Sequence, residues 1–279
     1  MATSATSDQL LVIIDPAARQ ADGESVRIAK DVLSAGAPAK LCLPDGPEEF
    51  ARALARRGSR RPVVVGDGRA LTRAVTLLHR RGELGGCALS VVPVGDTALA
   101  ESLGVPGGAV AAARAVLDGV ERRLDLLVDD GDGVVLGALR IPPVPARAGA
   151  ASPVPLSSGR PWYRSLVRTL AARPARLSAV PAPHAARLRV EVDGRPVVDT
   201  DQPVEAVSVT PGPAGMASVE VRPLSVGAEA TPLLASGHTV TVTGTEFRYR
   251  TDAAVSGPVR RRTWRVVEGA WSLVLPAGH

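Results

Sequence analysis

Residues 61–78, RPVVVGDGRALTRAVTLL, restrict the fold more than any other stretch of this chain. Val63, Val64 and Val65 are consecutive β-branched residues, the mark of a short buried strand. Gly66-Asp67-Gly68 follows at once, and a helical pattern runs over residues 71–78. Strand, glycine turn and helix in that order make a place where backbone bends sharply and comes close to a ligand. The first turn of a helix presents N–H groups with no partner inside the helix, which suits an anion. Asp67 fits two roles there: orienting a ribose or a phosphate-bound metal, or capping the helix. A GDG turn after a strand is compatible with a nucleotide site and with an ordinary tight turn.

The neighbouring segments repeat the same alternation. Residues 10–14, LLVII, form a continuous apolar run that suits a parallel strand covered on both faces, and Asp15-Pro16 ends it. Residues 24–33 have helical spacing, with Val26, Ala29 and Leu33 on one side, and Gly36 and Pro38 stop them. A strand is expected over 39–43. A helix over 48–57 follows, with Phe50, Ala53 and Leu54 inward. After the GDG helix, which extends to about residue 80, come a strand over 87–92, a short helix over 98–103 and a longer one over 109–117. Such βα alternation implies a mostly parallel sheet with helices on both faces. Ligands in these sheets bind beyond the carboxyl ends of the strands. The turns after Ile14, Val65 and Val92 are therefore expected to share one rim.

From residue 124 the texture changes. Residues 124–141 read as two strands around the turn at 129–133. Residues 142–161 are rich in Pro, Ala, Ser and Gly and read as an exposed loop, and 162–172 as a short helix. From Leu188 onward LRVEVDG, AVSVTPG, SVEVRPL, HTVTVTG, EFRYR, TWRVVEG and WSLVL each end near Gly, Pro or Asp, as strands of a sandwich or barrel do. The expected division is an α/β domain over 1–124 and an all-β domain over 125–279.

Composition narrows the partners. A chain of 279 residues, 45% hydrophobic and 3% aromatic, must build its core from Val, Leu and Ala. The net charge of +5 comes almost wholly from arginine, since Lys30 and Lys40 are the only lysines and asparagine is absent. Codon bias explains that surplus, and an anionic partner also suits it. The arginines are scattered, without the aromatic-interleaved basic patch of nucleic-acid binders. Cys42 and Cys87 sit in apolar surroundings and read as reduced core thiols. The first residues lack the parts of a signal peptide, and no apolar run reaches the ~20 residues needed to cross a bilayer. A cytoplasmic protein, peripheral to a membrane at most, is the expectation.

Several segments carry a family resemblance: Ile13-Ile14-Asp15-Pro16, Val65-Gly66-Asp67-Gly68-Arg69, PVGDTALAESLGVP over 93–106, Arg122-Arg123-Leu124-Asp125-Leu126, and Thr251-Asp252-Ala253-Ala254. Along nearly its whole length the chain resembles the diacylglycerol kinase catalytic-domain family of lipid kinases, the soluble bacterial members above all. In that family these segments are an NPxxG-like turn, GGDGT, PLGTGNDFARSLGIP, RxIDL and a DGE-type segment. The resemblance implies an NAD-kinase-like α/β domain followed by a β-sandwich. It also implies ATP with Mg²⁺ in the cleft between them, and transfer of the γ-phosphoryl group to a lipid hydroxyl, with an anionic or diacylglycerol-like lipid as partner. Carried over residue by residue, Gly66, Asp67 and Gly68 hold the nucleotide. Asp15, Arg69, Gly95, Asp96 and Thr97 line the same rim, and Asp252 is the catalytic base.

The motifs also depart from the family. Asp15 replaces Asn, Arg69 replaces Thr, the GTGND centre is shortened around Asp96-Thr97-Ala98, and the glutamate of DGE is missing. Arg69 binds a phosphate well as a guanidinium; it equally fills the phosphate pocket or points to solvent. These departures imply an alternative, an inactive relative that binds a nucleotide or lipid and regulates. A side chain at Gly68 is expected to take up phosphate space while leaving the fold intact.

Other constellations carry less. His79, His184, His238 and His279 lack metal spacing. Asp129, Asp130 and Asp132 are too closely spaced for a calcium loop and lack its distal glutamate. Ser157-Ser158-Gly159 is no nucleophile elbow. Arg260-Arg261-Arg262 is a tight basic cluster that reads as a solvated strand edge or a contact for anionic headgroups.

Overall fold

The computed structural model describes residues 9–143, 186–224, 231–252 and 254–278. All but the first two residues of the expected loop over 142–161, and the expected helix over 162–172, with His184 and His279, lie outside these residues. The first half runs β1 (Leu10–Ile14), α1 (Pro16–Ala21), α2 (Gly23–Gly36), β2 (Ala39–Cys42), α3 (Pro47–Ala55), β3 (Arg61–Gly66), α4 (Gly68–Arg80), β4 (Ala88–Pro93), α5 (Ala98–Ser102) and α6 (Ala109–Asp118). The four strands pair in parallel in the order β2-β1-β3-β4. Helix α2 packs against α6, and α3 against α4. All five residues of β1 are buried, so helices cover both faces of the sheet there. Helix α1 has no counterpart in the sequence expectation: Asp15-Pro16 does end β1, but it also caps this helix.

The second half runs β5 (Val120–Asp129), β6 (Val134–Val135), β7 (Leu139–Ile141), β8 (Leu188–Val192), β9 (Arg195–Val198), β10 (Val204–Pro211), β11 (Ala217–Pro223), β12 (Leu233–Gly237), β13 (Thr239–Arg250) and β14 (Val255–Leu275). Its pairings are antiparallel, and β5 and β6 form the expected hairpin. Four expected strands merge into two: HTVTVTG and EFRYR are both in β13, TWRVVEG and WSLVL both in β14. The register shifts in both strands instead of breaking, because the glycines that suggested strand ends sit at or beside bulges.

Strand β14 ties the halves together. Its last residues run parallel to β4, with Ser272 opposite Ala88 and Leu273 opposite Leu89, so the strands join in one fourteen-stranded sheet. The expected division at residue 124 falls inside β5. Along β5 the side chains alternate between two cores, as pleating requires. Leu126 and Val128 belong to the core of the parallel half, Leu127 to that of the antiparallel half. Trp271 and Leu273 lie in the first core although they come from the end of the chain.

Both cysteines are half-buried rather than enclosed. Cys42 lies on β2, at the edge of the sheet, and Cys87 just ahead of β4. Burial, even partial, pushes the Cys87 thiol up from its ordinary value. Among the described residues no helix is long and apolar enough to cross a membrane.

Candidate functional site at the strand ends

The three turns share a rim, as expected. The Asp15 N–H donates to Val65 O (2.9 Å) and the Val94 N–H to Gly66 O (3.1 Å), which holds the ends of β1, β3 and β4 side by side. Helix α4 starts here and anchors the GDG turn by burying Ala70, Leu71, Ala74, Val75 and Leu78.

Of its two expected roles, Asp67 performs the capping one. Its Oδ1 accepts from the N–H groups of Arg69 and Ala70, both at 3.0 Å. Two of the N-terminal donors expected to meet an anion are thus already partnered by the chain's own carboxylate. Oδ2 of Asp67 has no hydrogen bond among the described residues. Gly66 is required by its own neighbours rather than by a ligand: a Cβ there would lie 2.9 Å from that of Ala70 and 3.1 Å from that of Asp15. At Gly68 a Cβ would lie 2.9 Å from Cβ and 3.2 Å from Cδ2 of Leu99, a residue of α5. The expectation that a side chain at 68 leaves the fold intact is therefore corrected: leucine already fills that space.

Asp15 is buried at the rim with both oxygens engaged. Oδ1 caps α1 through the Ala17 N–H (2.9 Å), and Oδ2 takes Arg73 Nη1 at 2.7 Å. Arg73 in turn lies over the Phe50 ring, 5.5 Å from its centre. Arg69, one helical turn ahead of Arg73, is exposed, and none of the described residues pairs with its guanidinium. Asp96 and Gly95 are exposed on the turn after β4. Asp96 Oδ1 accepts from the Ala98 N–H (3.1 Å), and Thr97 Oγ1 donates to Glu101 Oε1 (2.6 Å).

Asp252 arrives from the far end of the chain. Its carboxylate accepts three consecutive backbone N–H groups, Leu136 (2.6 Å) and Gly137 (2.9 Å) on Oδ2 and Ala138 (3.0 Å) on Oδ1. Successive amides converging on one point make an anion-binding nest, and here a side chain of the same molecule fills it. A Cβ on Gly137 would lie 2.7 Å from Leu99 Cδ1 and 2.9 Å from Asp252 Oδ1. Leu99 therefore touches Gly68 on one side and Gly137, beside Asp252, on the other. Leu99 thus links the GDG turn to the segment whose amides Asp252 accepts.

Sequence reasoning missed Leu99, Gly137 and Arg73. Leu99 reads as one more inward residue of a short helix. Gly137 and Arg73 have no local signature, since their roles depend on partners distant in sequence. The other readings resolve simply. Asp129 Oδ1 accepts from the N–H groups of Gly131 and Gly133 and closes the hairpin turn. Burial, then the Asp129 charge, pushes the Tyr249 phenol up. Arg262 bends back to Asp130 (2.5 Å), while Arg260 and Arg261 are exposed. Among the described residues no three His, Cys, Asp or Glu side chains converge as a metal-ligand set.

The Gly68–Leu99 contact predicts a non-additive pair. Gly68→Ala in the wild-type background is expected to lower stability by about 2 kcal/mol through overpacking. In a Leu99→Ala background the same change should cost nearly nothing. A urea-denaturation double-mutant cycle measures this; equal costs in both backgrounds would show that the two residues do not share the space.

No protein-family profile matches the chain, and no curated protein sequence matches it. Solved structures do. Two are of a provisionally assigned diacylglycerol kinase from Bacillus anthracis str. Sterne: one has a TM-score of 0.71 at 13% identity, the other 0.70 at 12%. A crystal structure of a diacylglycerol kinase from the same organism gives 0.68 at 12% identity. Each match covers 98% of this chain and 98% of the other. At such identities the likeness speaks for the fold, and over its whole length this chain has the fold of those diacylglycerol kinase structures.

Proposed function

We propose that the chain is an ATP-dependent, lipid kinase-like protein, built as an NAD-kinase-like α/β half and a β-sandwich half, that works in the cleft between the GDG turn and Asp252. The observation that carries this reading is the meeting of those two segments, some 185 positions apart in sequence, across a single leucine side chain. In this reading the phosphate tail lies along Gly66, Asp67 and Gly68, with Gly95, Asp96 and Thr97 on the same rim and Arg69 as the exposed cation. Asp15 holds Arg73 in place. Mg²⁺ fits the donor set because such ions are held by one or two carboxylates together with substrate phosphates, and Asp67 Oδ2 is open to it. ATP supplies the transferable γ-phosphoryl group. Asp252 keeps acceptor capacity on Oδ1 and receives the proton of the lipid hydroxyl as that oxygen bonds to the γ-phosphorus, whose bond to the β,γ-bridging oxygen breaks so that ADP leaves. The lipid is a diacylglycerol-like acceptor, met at a membrane surface.

The alternative is a non-catalytic nucleotide- or lipid-binding relative with a regulatory role, in which Asp252 serves only to accept its three N–H groups. Thermal unfolding with Mg-ATP followed by a transfer assay separates the two. A hundredfold excess over Kd is expected to add about 2.7 kcal/mol of stability. Transfer to diacylglycerol then supports the kinase, and binding without transfer to any of a panel of lipids supports the regulatory relative. No shift with any nucleotide overturns nucleotide binding, and with it the kinase.

A further inference from the structure

Leu99 packs against both Gly68 and Gly137, and it is carried by a short segment bounded by two glycines. Helix α5 has five residues, too few to be stable by itself. It lies between Gly95 (φ +92°) and Gly104 (φ +87°), both in the left-handed region that glycine enters at little cost. Its polar bonds are largely internal: Asp96 to the Ala98 N–H, Thr97 to Glu101, the Glu101 N–H to Thr97 O and the Leu103 N–H to Leu99 O. The bond from the Val105 N–H to Ala100 O (2.9 Å) crosses the second glycine and must break if the helix moves. Buried Ala100 and half-buried Leu99 and Leu103 hold the helix down.

The walls around Leu99 ask for no ligand in this state. Asp67 satisfies the start of α4, and Asp252 satisfies the amides of 136–138. We propose that α5 is a latch: Leu99 seated between Gly68 and Gly137 closes the cleft, and a nucleotide enters only when α5 swings out about Gly95 and Gly104. The proposal rests on the nucleotide reading of the cleft and adds its regulation. The closed state competes with the ligand, so apparent affinity falls by the fraction of molecules that are open.

The test measures Mg-ATP affinity by calorimetry, and amide hydrogen exchange over residues 95–104 without ligand, in wild type, Leu99→Ala and Leu99→Met. Leu99→Ala is expected to bind about tenfold more tightly and to exchange faster over 95–104. Leu99→Met, similar in volume, should match wild type in both. Equal or weaker binding by Leu99→Ala, in proteins that do bind, overturns the latch and leaves the nucleotide reading standing. If none of the three binds Mg-ATP, the nucleotide reading falls, and the latch that rests on it falls with it. Should Leu99→Ala fail to fold, Leu99→Val makes the same comparison with a smaller expected shift.

Discussion

Trp271→Ala is expected to lower the unfolding free energy by about 4 kcal/mol, the range found when a fully enclosed large aromatic is removed. Trp271 is completely buried, and its indole N–H donates to Asp125 O at 3.3 Å. It belongs to β14, the strand that bonds to β4 on one side and β5 on the other. Its loss should therefore loosen the parallel sheet as well as the strand that carries it. Urea denaturation measures the total, and amide exchange at β3 and β4 locates it. A loss below about 1 kcal/mol would be out of keeping with an enclosed tryptophan. It would mean that the last strand is not seated in the first core.

Asp252→Ala is the second large effect. It leaves the amides of Leu136, Gly137 and Ala138 without their acceptor, and a loss of about 3 kcal/mol is expected from unpartnered donors facing a former charge. Asp252→Asn keeps a carbonyl oxygen and should recover part of that stability, yet it cannot take up a proton. If Asp252 is the base, Asp252→Asn lowers phosphoryl transfer by ~10²–10⁴ with only a modest loss of stability. If Asp252 serves only to organise the nest, transfer and stability fall together across the two variants.

Where the sequence was readable, the signal was local. The runs at 10–14 and 61–66 could be little else than enclosed parallel strands, and the step from Val65 through Gly66-Asp67-Gly68 into α4 is written in consecutive residues. Helix α1 escaped because six residues hold too little periodicity, and Asp15-Pro16 reads as a stop while it also begins something. The continuous β13 and β14 escaped because a glycine at a bulge and a glycine at a strand end look alike in sequence. The pairing of Ser272 with Ala88 has no local trace at all, being a contact across most of the chain. The candidate site divides the same way. The turn at Asp67 and Gly68 is legible, but its residues alone leave cap and ligand open at Asp67, and they give no sign of what packs on Gly68. That a leucine from the next βα unit packs against Gly68 and Gly137 is visible only in three dimensions.

The claim at the centre is that the nucleotide phosphates lie between the GDG turn and Asp252. Backbone amide chemical shifts, recorded while Mg-ATP is titrated into the full chain, test it most directly. The account predicts saturable changes concentrated at Gly66–Ala70, Gly95–Leu99 and Leu136–Ala138, with little effect elsewhere. Changes centred on other surfaces, or none at saturating Mg-ATP, would contradict it.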